Sequence, residues 1–168
     1  MGEVSNKPVQ IALSVNGDKK EVRVWPGETL ADTLRDRLGL TGTKIMCNEG
    51  SCGSCTVLIN GKPILSCLTL SVACDGSNIL TIEGLADAIT GELHPIQKAF
   101  VEHSGMQCGV CTPGVILTAK ALLDDNPSPT ADNVREALAG NLCRCGNYNR
   151  IIESILAAAE MMGGGCPK

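Results

Sequence analysis

The stretch Cys47–Cys67 reads CNEGSCGSCTVLINGKPILSC. Its cysteines fall in the pattern C-x4-C-x2-C-x11-C, three in a Gly- and Ser-rich loop and the fourth after an apolar run and a turn. Four thiolates gathered on one loop system call for metal. Iron and sulfide held by four thiolates keep a net negative charge, so a stable site needs several backbone N–H groups aimed at the sulfurs. Gly50 and Gly53 suit that demand, because a residue without Cβ reaches φ > 0 and lets the main chain close around the sulfurs.

This is the spacing with which plant-type ferredoxins hold a [2Fe–2S] cluster, which makes Cys47, Cys52, Cys55 and Cys67 the expected ligands. The flanking pattern agrees. Val9–Val15 alternates around Ile11, Leu13 and Val15, Asn16-Gly17-Asp18 is a hairpin turn, and Glu21–Trp25 alternates again. After Pro26-Gly27, Thr29 starts a helix with Asp32 as its capping partner, Leu30, Leu34 and Leu38 form one apolar stripe, and Gly39 ends it. Beyond the loop, Thr56–Ile59, Ile64–Cys67 and Ile79–Ile82 read as strands, the first two joined at Asn60-Gly61. A hairpin, a helix across it and later strands give a small α+β domain that resembles the β-grasp of plant-type ferredoxins.

Composition narrows the function classes. The chain has 168 residues, is 43% hydrophobic but only 2% aromatic, and so must build its core from Val, Ile, Leu and Ala. The net charge of −4 with no basic block leaves no electrostatic footprint for nucleic acid. No apolar run approaches the roughly 18 residues of a membrane span. MGEVSNKPVQ carries neither a signal-peptide core nor a twin arginine, so the expected location is cytoplasmic. Ten cysteines in a reducing compartment point to metal or redox chemistry; a disulfide framework would need an oxidising one.

After Glu83–Leu93, a connector punctuated by Gly and Asp, the hydrophobic period lengthens from two to 3.6. Helices are expected at Pro95–His103, Pro113–Asp124, Ala131–Ala139 and Arg150–Met161. The expected fold class is α+β, an N-terminal β-grasp domain over residues 1–82, a connector over 83–93 and an all-helical domain over 94–168. Cys108 and Cys111 precede one helix, and Cys143 and Cys145 precede another. Exposed N–H groups and positive dipole ends at two helix N-termini favour an anionic centre. Gln107, Gly109, Thr112, Gly114 and Arg144 crowd the same ligands. Two cysteine pairs are also a zinc signature, although C-x-C is less usual for zinc, so this half alone leaves zinc and iron–sulfur both open. A thioredoxin-like reading of Cys108/Cys111 lacks its βαβ context.

Taken together, CNEGSCGSCTV with the later SC, then QCGVCTPG, then GNLCRCGNY, resemble the iron–sulfur subunit or domain of the molybdenum hydroxylases, the family of xanthine dehydrogenase, aldehyde oxidase and carbon monoxide dehydrogenase. The resemblance runs from about Ile11 to Ala159, and the length suits a separate small subunit. It implies a second [2Fe–2S] cluster on Cys108, Cys111, Cys143 and Cys145, and contacts from Gln107 and Cys145 to a molybdopterin cofactor. It further implies electron transfer from a molybdopterin-binding large subunit, through both clusters, to FAD on a medium subunit. The assembly would be a heterotrimer or a dimer of heterotrimers. Substrate choice would lie on the large subunit, among N-heterocycles, purines, aldehydes, carbon monoxide and acyl-CoA. The family usually reads CRCTGY where this chain has Gly146-Asn147, and Asn48 replaces a residue that is often acidic or Gly.

The remaining candidates read as structural. Cys74 is a small buried hydrophobe, Cys166 a free thiol on a frayed tail, His94 a helix starter, and Met161-Met162 packing. His103 lies near the second set but has no vacancy to fill, and Glu49 and Glu83 are solvated carboxylates. No hydrolytic or acid–base constellation is apparent, so no catalytic residue is expected on this chain. The competing function is a free-standing ferredoxin or a zinc-bearing adaptor; a colourless protein would indicate zinc, a red-brown one two clusters.

Overall fold

The computed structural model describes residues 7–163. The expectations for Cys166 and the glycine-rich tail lie outside the described residues, apart from Gly163. The first half carries a five-stranded mixed sheet in the order β2-β1-β5-β3-β4. Its strands are β1 (Val9–Val15), β2 (Asp18–Val24), β3 (Thr56–Ile59), β4 (Lys62–Leu65) and β5 (Asn78–Leu80). β1 runs parallel to β5, while β1/β2, β3/β4 and β3/β5 are antiparallel. Both Asn-Gly dipeptides turn with two consecutive positive φ angles, 55° and 89° at Asn16-Gly17 and 50° and 80° at Asn60-Gly61. That is the type I′ geometry whose twist matches a hairpin.

Thr29 caps α1 (Leu30–Asp32), its side chain accepting from the Asp32 N–H. The segment then widens into a π-turn over Thr33–Arg37, where the Leu38 N–H reaches the Thr33 carbonyl at 3.1 Å. Leu30 and Leu34 are fully buried on the sheet with Ile11, Leu13, Val24, Val57 and Ile79, and Leu38 packs at the edge. The expected stripe is present, but the single α-helix is not. Thr33 spends its hydroxyl on Glu28 and Ser71, both outside the helix, and the turn opens there.

Two strand ends also differ. β4 stops at Leu65, and Cys67 sits in a 3-10 turn over Ser66–Leu68. The Ser66 hydroxyl donates to the Cys55 carbonyl at 2.6 Å and breaks the ladder, which swings Cys67 towards Cys55. β5 ends at Leu80, and Ile82 belongs to a turn over Ile82–Gly84 that packs on the helices.

The second half contains α2 (Pro95–Glu102), α3 (Thr112–Asp125), α4 (Ala131–Ala137) and α5 (Tyr148–Met161). His94 and Gln97 form a capping box at α2, and Thr130 and Asn133 form another at α4. α3 starts directly after Cys111, and α5 starts two residues earlier than the hydrophobic period suggests. Phe100, Ile96, Val115, Val134, Ile151 and Ile155 form a core separate from the one under the sheet. Cys74 is buried in the sheet core, as expected. No helix of the described residues is long and apolar enough to cross a membrane.

Candidate metal centres

The loop from Cys47 to Cys55 turns through left-handed backbone at Asn48 (φ 54°), Gly50 (φ 82°) and Gly53 (φ 70°). Asn tolerates that region where most side chains do not, which accounts for Asn48. The turning brings main-chain donors onto sulfur. The N–H groups of Glu49, Ser51 and Cys52 reach Cys47, and that of Gly50 reaches Cys67. The Glu49 N–H, with the Cys52 thiol and the other donors, pulls the Cys47 thiol down to about 7. Burial beside Cys55 pushes Cys67 up to about 11. The expected donor shell is therefore in place, with Cys55 and Cys67 buried among Ala31, Ile45 and Leu65.

The second set is assembled across 37 positions of sequence, by the bend before α3 and the turn between α4 and α5. Cys111 occupies the N-cap position of α3. Gly109 (φ 81°) and Gly146 (φ 71°) supply the left-handed turns beside Cys108 and Cys145. The Val110 N–H reaches the Cys108 sulfur, and the Cys108 N–H reaches Cys145. Burial, together with the neighbouring Cys143, pushes the Cys111 thiol up to about 12. Cys108 and Cys145 are exposed, so this set has one solvent-facing side. α5 begins only at Tyr148, whose hydroxyl accepts from the Cys143 N–H at 2.9 Å.

In each set the thiols approach in pairs. Cys47 meets Cys52 and Cys55 meets Cys67; Cys108 meets Cys145 and Cys111 meets Cys143. Among the described residues no three His, Cys, Asp or Glu converge to hold one metal ion. Two pairs of thiols suit two metals with two ligands each, which is what a binuclear iron–sulfur centre requires, better than a single tetrahedral ion. The residues present therefore fit the expected group at both places.

The two sets are fastened to each other. The Leu142 N–H, next to Cys143, donates to the Cys52 carbonyl at 2.9 Å. Asn141, almost wholly buried, donates to the Gly53 carbonyl at 3.1 Å and accepts from the Thr118 hydroxyl at 3.1 Å. A Cβ at Gly53 would strike the Gly140 carbonyl oxygen, and one at Gly114 would strike the Gly53 carbonyl oxygen. The halves thus meet backbone to backbone. Gly114, in the first turn of the helix that Cys111 caps, makes this seam. An apolar recess beside it is lined by Met46, Val110, Leu142 and Tyr148, with Cys52 and Cys111 at its floor.

Gln107 lies on the exposed side of the second set, at the rim of a polar recess with His103, Ser104 and Arg150. Its Nε2 donates to Asn147 at 3.2 Å. Sequence reasoning passes over Asn141 and notes Asn147 only as part of the departure from CRCTGY. Both sit beside glycines and read as turn formers, and only their burial separates them from such residues.

Comparison with known proteins agrees with this layout. Residues 13–78 match the model of a family described as a 2Fe-2S iron-sulfur cluster binding domain. Residues 81–156 match that of a [2Fe-2S] binding domain. The chain is 48% identical to the nicotine 6-hydroxylase small subunit of Paenarthrobacter nicotinovorans, covering 92% of each chain. It is 45% identical to the nicotinate dehydrogenase small FeS subunit of Eubacterium barkeri, covering 90% of this chain and 96% of the relative. The crystal structure of quinoline 2-oxidoreductase from Pseudomonas putida 86 contains a chain of TM-score 0.88 and 47% identity, matched over 92% of this chain and 95% of that one.

Proposed function

Since this chain belongs to the small iron–sulfur subunits of the molybdenum hydroxylases, and is an electron-transfer subunit of a multi-subunit oxidoreductase whose substrate is converted on another subunit, we propose the route its electrons take. Cys108, Cys111, Cys143 and Cys145 hold the cluster that receives electrons from the molybdopterin-binding large subunit, with Gln107 and Cys145 facing that cofactor. Cys47, Cys52, Cys55 and Cys67 hold the cluster that passes them to FAD on a medium subunit. Each cluster, when bound, stores and releases one electron. The residues themselves set distance, burial and the N–H shell that tunes the potential.

The observation that carries this reading is the pairing of eight thiols into two donor-lined sets joined by the Leu142–Cys52 hydrogen bond. Its direction rests on exposure. Cys108 and Cys145 are open beside Gln107, while exposed Leu68 lies against Gly50 on the first set's own side of the seam. Two separate cores support a division into residues 1–82, a connector 83–93 and residues 94–168, although Leu80, Ile82 and Leu85 pack on the helical core across that boundary. A heterotrimer, or a dimer of heterotrimers, in the cytoplasm suits reduced thiols and apolar residues exposed beside both sets. Relatives named for nicotine and nicotinate, and a structure named for quinoline, make aromatic N-heterocycles the first substrates to screen.

The test is iron per chain and the EPR spectrum of the dithionite-reduced, natively isolated complex. About four irons and two overlapping S = 1/2 signals are expected. Cys111→Ser should leave about two irons and one signal. Wild-type protein with about two irons, and zinc on the second set, would instead mark a ferredoxin with a structural helical appendix.

A further inference from the structure

Asn147 is buried while its neighbours Cys145, Gly146 and Tyr148 are exposed. Its side chain makes two bonds of opposite sense. Nδ2 donates to the Ser104 carbonyl at 3.0 Å, and Oδ1 accepts from Gln107 Nε2 at 3.2 Å. A main-chain carbonyl can only accept. Asn147 must therefore turn its NH2 to Ser104 and its oxygen to Gln107. Gln107 must in turn give its own NH2 to Asn147. The Ser104 carbonyl that starts this chain is fixed by a left-handed residue (φ 56°) at the end of α2, where the Gly105 N–H closes on the Phe100 carbonyl at 2.8 Å. Each amide orientation thus follows from the one before it, ending at a backbone atom that cannot rotate.

The outer end of Gln107 is what remains. Among the described residues nothing donates to Gln107 Oε1, and the residue is exposed beside exposed Cys108 and Cys145. We propose that Asn147 is a positioning residue that fixes Gln107 as a hydrogen-bond acceptor towards the partner subunit, so that Gln107 takes an N–H from the edge of the pterin rather than giving one. This rests on the reading that Gln107 faces the molybdopterin-bearing subunit. It also gives the Gly-Asn pair at 146 and 147 distinct tasks: Gly146 supplies the turn with φ 71°, and Asn147 supplies the anchor.

The experiment is a dye-mediated redox titration of the molybdenum centre, followed by EPR, in the assembled complex. It compares wild type, Gln107→Ala, Asn147→Ala and the double variant, with iron per chain as the fold control. A residue acting only through Gln107 gives a non-additive cycle. The expected result is a midpoint shift in Gln107→Ala, a shift of the same sign and at least half the size in Asn147→Ala, and no further shift in the double variant. If Asn147→Ala loses iron, the cycle is run with Asn147→Leu, which fills the same volume but offers Gln107 no oxygen, and the same non-additivity is required. Shifts that add, or a silent Asn147 variant beside a shifted Gln107→Ala, overturn the inference and leave the Gln107 contact standing. A silent Gln107→Ala overturns the contact and the inference together.

Discussion

Glu28 holds the start of the first helical segment with one carboxylate. Its oxygens accept from Arg37, at 2.6 Å for Nη2, from the Thr33 hydroxyl at 2.7 Å and from the Trp25 N–H at 3.2 Å. The Arg37 bond, with these others, brings the carboxyl from 4.5 down to about 2. A carboxyl lowered on folding stabilises the fold above its ordinary value and loses that contribution as pH falls through the lowered one. Stability should therefore drop between about pH 4.5 and pH 2, and Glu28→Gln should flatten that part of the profile. Acid titration followed by Trp25 emission tests this, because Trp25 is the only tryptophan and adjoins the pair. The cysteines were legible in the sequence because their chemistry is carried by residue type and spacing. The two asparagines were not. Asn141 acts on Gly53, 88 positions away, and Asn147 on Gln107, 40 positions away. A composition of Asn beside Gly says turn before it says anchor.

At the scale of elements, the seam between α3 and the first cysteine loop sets the separation of the two sets. Gly114 on α3 and Gly53 in the loop touch through main-chain atoms, and neither has room for a methyl group. Gly114→Ala should force the halves apart, destabilising the protein by about 1–3 kcal/mol, the usual range for overpacking. Thermal unfolding of the iron-loaded protein measures this. The same variant should weaken the magnetic interaction between the reduced clusters while iron content holds. The hairpins, the helix caps and the period change were readable, since each rests on local rules of turn and cap. The end of β4 was not, because the Ser66 hydroxyl takes the Cys55 carbonyl, eleven residues back, at 2.6 Å and leaves the Ser66 N–H at 3.4 Å from it, and that choice is tertiary. The π-turn after Thr33 was not legible either, since the Glu28 and Ser71 contacts that accompany it join segments distant in sequence or outside the helix.

Across the whole molecule, exposed apolar residues are scattered, with Val9, Trp25 and Ile89 far from either set, but one group of them lies by the cysteines. Met46 and Leu142 are 63% and 52% exposed at the recess over the seam, and Leu68 and Met106 lie beyond it on either side. Electron-relay interfaces of obligate complexes are large and apolar, and these residues are where such partners would sit. Met46→Asp and Leu142→Asp should each lower copurification of the partner subunits without lowering iron per chain. Loss of iron in these variants would place both residues in the fold rather than at an interface.

The two cysteine sets differ in what covers them, and that has a consequence for how each is emptied. Cys55 and Cys67 are 2% and 4% exposed, packed among Ala31, Ile45 and Leu65 of their own half, whereas Cys108 and Cys145 face solvent. A chelator should therefore bleach the second set first, at a rate that rises with its concentration, while the first set should bleach at a rate that follows denaturant. Following the two EPR signals separately against each reagent checks this, and equal rates for both would show that ligand burial does not gate release.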